Sequence, residues 1–131
     1  MKLSAALCAL ACALGTASCG LPGSGCRYAD TPGTAVILSI GPAPGGTNAC
    51  PRDPVAVLFR FSPTNSTQAP IDRSISIGDG KHPPRAWVES SGLTVGSAHP
   101  AIRSDSVAGA CSPLVIKLTD VDYGAANDAC F

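Results

Sequence analysis

Residues 55–61 read VAVLFRF, and they alternate. Side chains of an extended chain point to opposite faces with a period of two, so Val55, Val57, Phe59 and Phe61 share one side. Valine and phenylalanine suit a pleated, half-buried surface. The segment therefore reads as a strand with one face in a core. Turn-rich residues border it: GPAPGGTNACPRDP at 41–54 and SPTNSTQAP at 62–70.

Further strands follow on both sides. Residues 34–40, TAVILSI, are apolar and β-branched on both faces, as in a buried strand. Residues 71–77, IDRSISI, set Ile71, Ile75 and Ile77 against polar neighbours. Asp79-Gly80 is a hairpin signal. The return strand is delayed by Pro83 and Pro84, which cannot donate to a ladder, and is expected as RAWVES, residues 85–90. LTV at 93–95 and AIRSDSV at 101–107 are weaker candidates, and LVIKLTDVDY at 114–123 is a long one. The chain has a single Glu, Glu89, and few Lys, and beyond residue 18 Pro or Gly interrupts every run of helical period. The expected class is all-β: about seven strands in an antiparallel β-sandwich of immunoglobulin-like or transthyretin-like topology. A small closed β-barrel is the alternative.

Before this body lies a different composition. Lys2 supplies one positive charge, residues 3–14 (LSAALCALACAL) are apolar, and Gly15, Thr16, Ala17 and Ser18 are small. That is the layout of a secretory signal peptide, expected over residues 1–18. The run is shorter than the roughly 20 apolar residues that cross a bilayer. TASC at 16–19, followed by Gly20, resembles the lipobox of bacterial lipoproteins. The resemblance covers about the first twenty residues and departs where the family usually has Leu in place of Thr16. It implies lipid attachment, including palmitate, at Cys19, cleavage just before it, and a membrane partner through that lipid. Asp after the cysteine retains enterobacterial members at the inner membrane; Gly20 here implies the outer membrane. Soluble export to the periplasm or the medium is the alternative. Residues 19–33 then form the attachment point and a Gly/Pro tether, and residues 34–131 the folded domain.

Seven cysteines fit this reading. Cys8 and Cys12 leave with the signal, and Cys19 takes lipid. Cys26, Cys50, Cys111 and Cys130 remain, an even set that an exported chain uses for disulfides. Three pairings are open. The local one, Cys26–Cys50 with Cys111–Cys130, is preferred because each pair flanks one expected strand. None of the spacings is the short C-x₂₋₄-C of a zinc site.

After loss of Lys2, eight Lys and Arg face nine Asp and Glu. There is no basic patch for nucleic acid and no polybasic run for a membrane surface. No catalytic residue, metal ligand or cofactor is assigned. His82 and His99 each precede a proline and read as exposed loop residues. No G-x-S-x-G elbow is present in the body. Asp120, Asp122, Asn127 and Asp128 offer oxygens of the kind calcium takes, but position twelve of an EF-type loop falls on Phe131, so they read as a polar strand end entering a turn. Loop 78–86 and its border supply the candidate partner-binding residues, Lys81, His82, Arg85 and Trp87, since Trp and Arg are enriched at binding hot spots. The expected function is a lipid-anchored envelope module that binds a protein, peptide or glycan or serves structurally. An exported inhibitor or immunity-type protein acting through a rigid loop is one alternative, and an enzyme with an unrecognised site is another.

Overall fold

The computed structural model describes residues 25–44, 50–109, 111 and 113–130. The expected signal segment 1–18, Cys19 and residues 20–24 lie outside them. Among the described residues five strands form one antiparallel sheet: β1 (Arg27–Pro42), β2 (Val55–Pro63), β3 (Ile71–Ser74), β4 (Ala98–Ala108) and β5 (Leu114–Leu118). Their spatial order is β3-β2-β1-β4-β5. Two short helices accompany it, α1 (Arg85–Ser90) and α2 (Tyr123–Cys130).

β1 organises the sheet because it is long and changes partners. Residues 27–36 pair with β4, and residues 33–42 pair with β2. Only its centre is flanked on both sides. A bulge between Ile37 and Ser39 shifts the inward side from odd to even positions. Ala35, Ile37 and Ile40 therefore all meet the core. The alternation in residues 55–61 holds as expected: Val55, Val57, Phe59 and Phe61 are all buried.

The mostly-β class stands, but the count and layering differ from a seven-stranded sandwich. The tether also ends sooner than residue 33, since residues 27–33 are already in β1. Pro32 is accommodated within the strand. Its carbonyl accepts from Thr64 N–H at 3.0 Å. Its nitrogen faces the same side, where β2 has ended at Pro63, so no ladder bond is lost.

RAWVES forms helix α1 rather than a return strand. Pro84 stands extended just before it, and Gly92 ends it at φ 71°. Gly92 N–H bonds Glu89 O at 3.1 Å and Leu93 N–H bonds Val88 O at 3.2 Å. These two bonds are a Schellman stop, with Leu93 buried against the core behind it. The Asp79-Gly80 signal resolves into a single 3-10 turn, Gly78–Gly80, closed by Ile77 N–H to Lys81 O at 2.9 Å. LTV at 93–95 is a turn and not a strand. The expected long strand 114–123 stops at Leu118, and Tyr123 opens α2. Asp122 caps that helix, its Oδ1 accepting Ala125 N–H at 3.1 Å.

The helices cover the inward face. Trp87 and Val88 of α1 and Ala126 and Cys130 of α2 join the core of β1 and β2. Trp87 and Tyr123 pack with ring centroids 5.9 Å apart. Two disulfides tie the ends together, Cys26–Cys111 and Cys50–Cys130. This corrects the local pairing. β1 and β4 run side by side, and Arg27 lies opposite Ala108, so Cys26 meets the β4–β5 connection rather than the loop before β2. Cys50 meets the last turn of α2.

Candidate functional site

The four candidate partner-binding residues do not form one exposed surface. Trp87 is 4% exposed, and its Nε1–H donates to the Asp122 carbonyl at 2.8 Å. It is a core residue that locks α1 to the entrance of α2, not an accessible anchor. His82 is half-buried, and its Nδ1 is shielded with no hydrogen-bond partner among the described residues. Lys81 closes the 3-10 turn through its backbone. Arg85 alone of the four is exposed, and it is held to Asp53 twice. Its N–H bonds Asp53 O, and its Nε bonds Asp53 Oδ2, each at 2.9 Å.

Arg85 nevertheless lines an open groove of about 500 Å³ with Arg52, Asp53, Pro84, Glu89 and Ala129. Cationic and anionic side chains mix there, so it has no single charge to select a ligand. A second cleft of about 220 Å³ lies where the sheet's two edges come together. Arg73, Ser74 and Ser76 form one wall and residues 114–117 the other.

A third arrangement was not legible in the sequence. His99 lies on β4 and is 7% exposed, so it is not the loop residue expected from its proline neighbour. Its Nδ1 is 2.8 Å from Asp120 Oδ2, and its Nε2 is 2.8 Å from Ser97 Oγ. Serine, histidine and aspartate thus stand in the order of a hydrolytic triad. The surroundings do not match that chemistry. Ser97 Oγ donates to Thr94 O at 2.7 Å and accepts Thr94 N–H at 3.1 Å, which ties it into the turn 94–97. The neighbouring Gly96 N–H bonds Ile37 O at 2.8 Å and is not available to a developing oxyanion. The arrangement pins the turn to the end of β5. The signal that would have found it is the alternation Ser97-x-His99-x-Ala101, which continues the inward face of β4.

The carboxylates considered for calcium are in separate use. Asp120 holds His99, Asp122 caps α2, and Asp128 is exposed on α2. Among the described residues no three His, Cys, Asp or Glu side chains gather as metal ligands do.

Tyr123, near the second cleft, carries a perturbed acidity. Burial pushes the Tyr123 hydroxyl above the usual tyrosine value, and the nearby Asp120 charge adds to this. Its hydrogen bond from Leu118 N–H at 3.0 Å opposes the rise.

No protein-family model, curated protein or solved structure matches the chain.

Proposed function

We propose that the chain is an exported module, tethered by lipid at Cys19 to the outer membrane of a bacterial envelope, that binds an envelope protein, peptide or glycan or braces the envelope structurally. The observation that carries this is the use of cysteine. Cys26, Cys50, Cys111 and Cys130 are all consumed in two bridges. Bridges of this kind persist in oxidising compartments. Cys8 and Cys12 fall within the expected signal segment, so Cys19 is the thiol left over, and it stands in the lipobox-like TASC.

The layout after Cys19 suits a tether. Only six residues separate it from Cys26, which is clamped to Cys111 at the start of β1. A load applied at the lipid is then passed to the central strand of the sheet. Among the described residues no helix is long and apolar enough to cross a membrane. Under this reading the Ser97–His99–Asp120 arrangement is structural and the chain is not an enzyme. In a bacterial host, Cys19→Ala abolishes palmitate labelling and releases the protein from the membrane fraction. Equal labelling of the two forms overturns the lipid tether.

A further inference from the structure

The cleft between β3 and β5 has unanswered backbone groups on both walls. Ile75 N–H bonds Val57 O at 2.9 Å, so odd-numbered residues of this segment face β2. N–H and C=O of one residue point to the same side in an antiparallel ladder, so Asp72 and Ser74 turn theirs outward. On β5, Thr119 N–H bonds Pro100 O at 2.9 Å, so Leu114, Ile116 and Leu118 face away from β4. Of these three, only Leu118 has its N–H taken up by another described residue, through the Tyr123 hydroxyl. Among the described residues no strand pairing joins β3 to β5.

The same cleft has one sign of charge. Arg73 lines one wall and Lys117 the other, and among the described residues no carboxylate lines it. Among the described residues the Arg73 guanidinium bonds only the Asp72 carbonyl, at 3.4 Å, and the Lys117 ammonium lies 5.7 Å from the centre of the Tyr123 ring. Of the carboxylates nearby, Asp72 pairs with Arg60 and Asp105 with Arg103, while Asp30, which lines a neighbouring hollow with Lys117, accepts from Ser104 Oγ at 2.7 Å. Two cations thus face an open edge.

We propose that this cleft binds an extended acidic peptide, which adds as a strand against β5 and β3 and places carboxylates beside Lys117 and Arg73. Main-chain hydrogen bonds to Ile116 and Ser74 supply the docking, and the two cations supply the selection. A lysine on a sheet edge also serves to discourage pairing with other chains. That simpler role predicts no ligand, and the two are separable. The proposal rests on the binding half of the function above and not on its lipid half.

The probe is a fluorescein-labelled hexapeptide of alternating valine and glutamate. It is compared with the same peptide carrying lysine for glutamate, on the full oxidised chain in detergent. The acidic peptide is expected to bind at least about tenfold more tightly than the basic one, a difference of about 1.4 kcal/mol. Arg73→Glu with Lys117→Glu reverses that preference. Because a double variant can misfold, amide hydrogen exchange is also followed in the unaltered chain, where the Ile116 and Ser74 amides slow when the acidic peptide is added. Equal affinity for the two peptides, no binding at about 1 mM, or unchanged exchange at both amides overturns the proposal. If binding fails while Cys19-dependent palmitate labelling persists, only the cleft assignment falls; if labelling fails while the peptide binds, only the tether falls.

Discussion

The ring of Phe61 occupies the space that a β-carbon at Gly33 would take. Such a carbon would lie 2.6 Å from two of its ring carbons, and closer still to the carbonyl of Ser62. Gly33 is paired on both sides, to Pro63 of β2 and Ala101 of β4, so the backbone there has little room to retreat. The aromatic ring covers the bare glycine from the neighbouring strand.

Gly33→Ala therefore destabilises the fold, although the substitution restricts the unfolded chain and by itself would stabilise by about 0.4–1 kcal/mol. Overpacking of a tight site costs about 1–3 kcal/mol and prevails. Urea unfolding of the oxidised protein measures the difference. In a double-mutant cycle with Phe61→Leu, the penalty shrinks by about 0.5 kcal/mol or more, because the smaller side chain vacates part of the space. An unchanged urea midpoint in Gly33→Ala would show that β1 and β2 can separate there at no cost.

The bridges are expected to map as Cys26–Cys111 and Cys50–Cys130 in non-reducing peptide analysis. Their sequence separations are 85 and 80 residues. In the chain-entropy model a loop of that length is worth about 4.5 kcal/mol. That is a large part of the 5–15 kcal/mol typical of a whole domain. Reduction should therefore lower the unfolding midpoint steeply. A Cys26–Cys50 peptide would contradict the placement of β1 beside β4.

The strands with one buried face were legible because alternation survives any packing that leaves one side wet. VAVLFRF could be read for that reason. The helices were not, because each is too short to display a 3.6-residue period. α1 has only six residues, and its Trp and Val suit a strand equally well. The informative signal was its end, Ser91-Gly92-Leu93, where glycine turns the chain and leucine returns to the core. In α2, Gly124 and the Asp and Asn residues looked like turn chemistry, while Asp122 was acting as a cap. The local disulfide pairing failed for a different reason. Strand order is not written in spacing, and the antiparallel partner of β1 on the Cys26 side is β4, far along the chain. The mixed groove around Arg85 and the cleft at the sheet edges depend on the same long-range order.

Tyr123 gives the fold an alkaline weakness. Its folded-state pKa is raised above the usual tyrosine value, chiefly by burial. Below about pH 10 the hydroxyl is neutral in both states and contributes its full stabilisation. As pH rises past that point the unfolded chain ionises first, and stability falls until the folded form ionises too. Tyr123→Phe removes this alkaline slope. It also leaves Leu118 N–H without its acceptor, so near neutral pH the variant is less stable by about 0.5–1.5 kcal/mol. Unfolding midpoints at pH 7 and on the alkaline side, for both forms, test the two effects together. A slope that persists unchanged in the variant would assign it to another group.

Ser97, His99 and Asp120 pose the sharpest question, because their spacing alone fits nucleophilic catalysis. The direction of the serine proton decides it. A serine nucleophile gives its proton to the histidine that activates it. Ser97 Oγ donates to the Thr94 carbonyl at 2.7 Å, so His99 Nε2, 2.8 Å away, competes for the same proton. The oxygen also accepts Thr94 N–H. The hydroxyl is thus held in the turn, and handing its proton to the histidine would break the bond to Thr94 O. A fluorophosphonate probe is therefore expected to leave Ser97 unlabelled. Ser97→Ala should instead act on stability, since it deprives both Thr94 and the buried His99 of a partner. Leaving a buried polar group unsatisfied costs about 1–3 kcal/mol. Asp120→Asn keeps a polar partner for His99 and should cost less than Ser97→Ala. Stoichiometric labelling at Ser97, abolished by His99→Ala, would instead establish the three residues as a catalytic site and overturn their structural assignment.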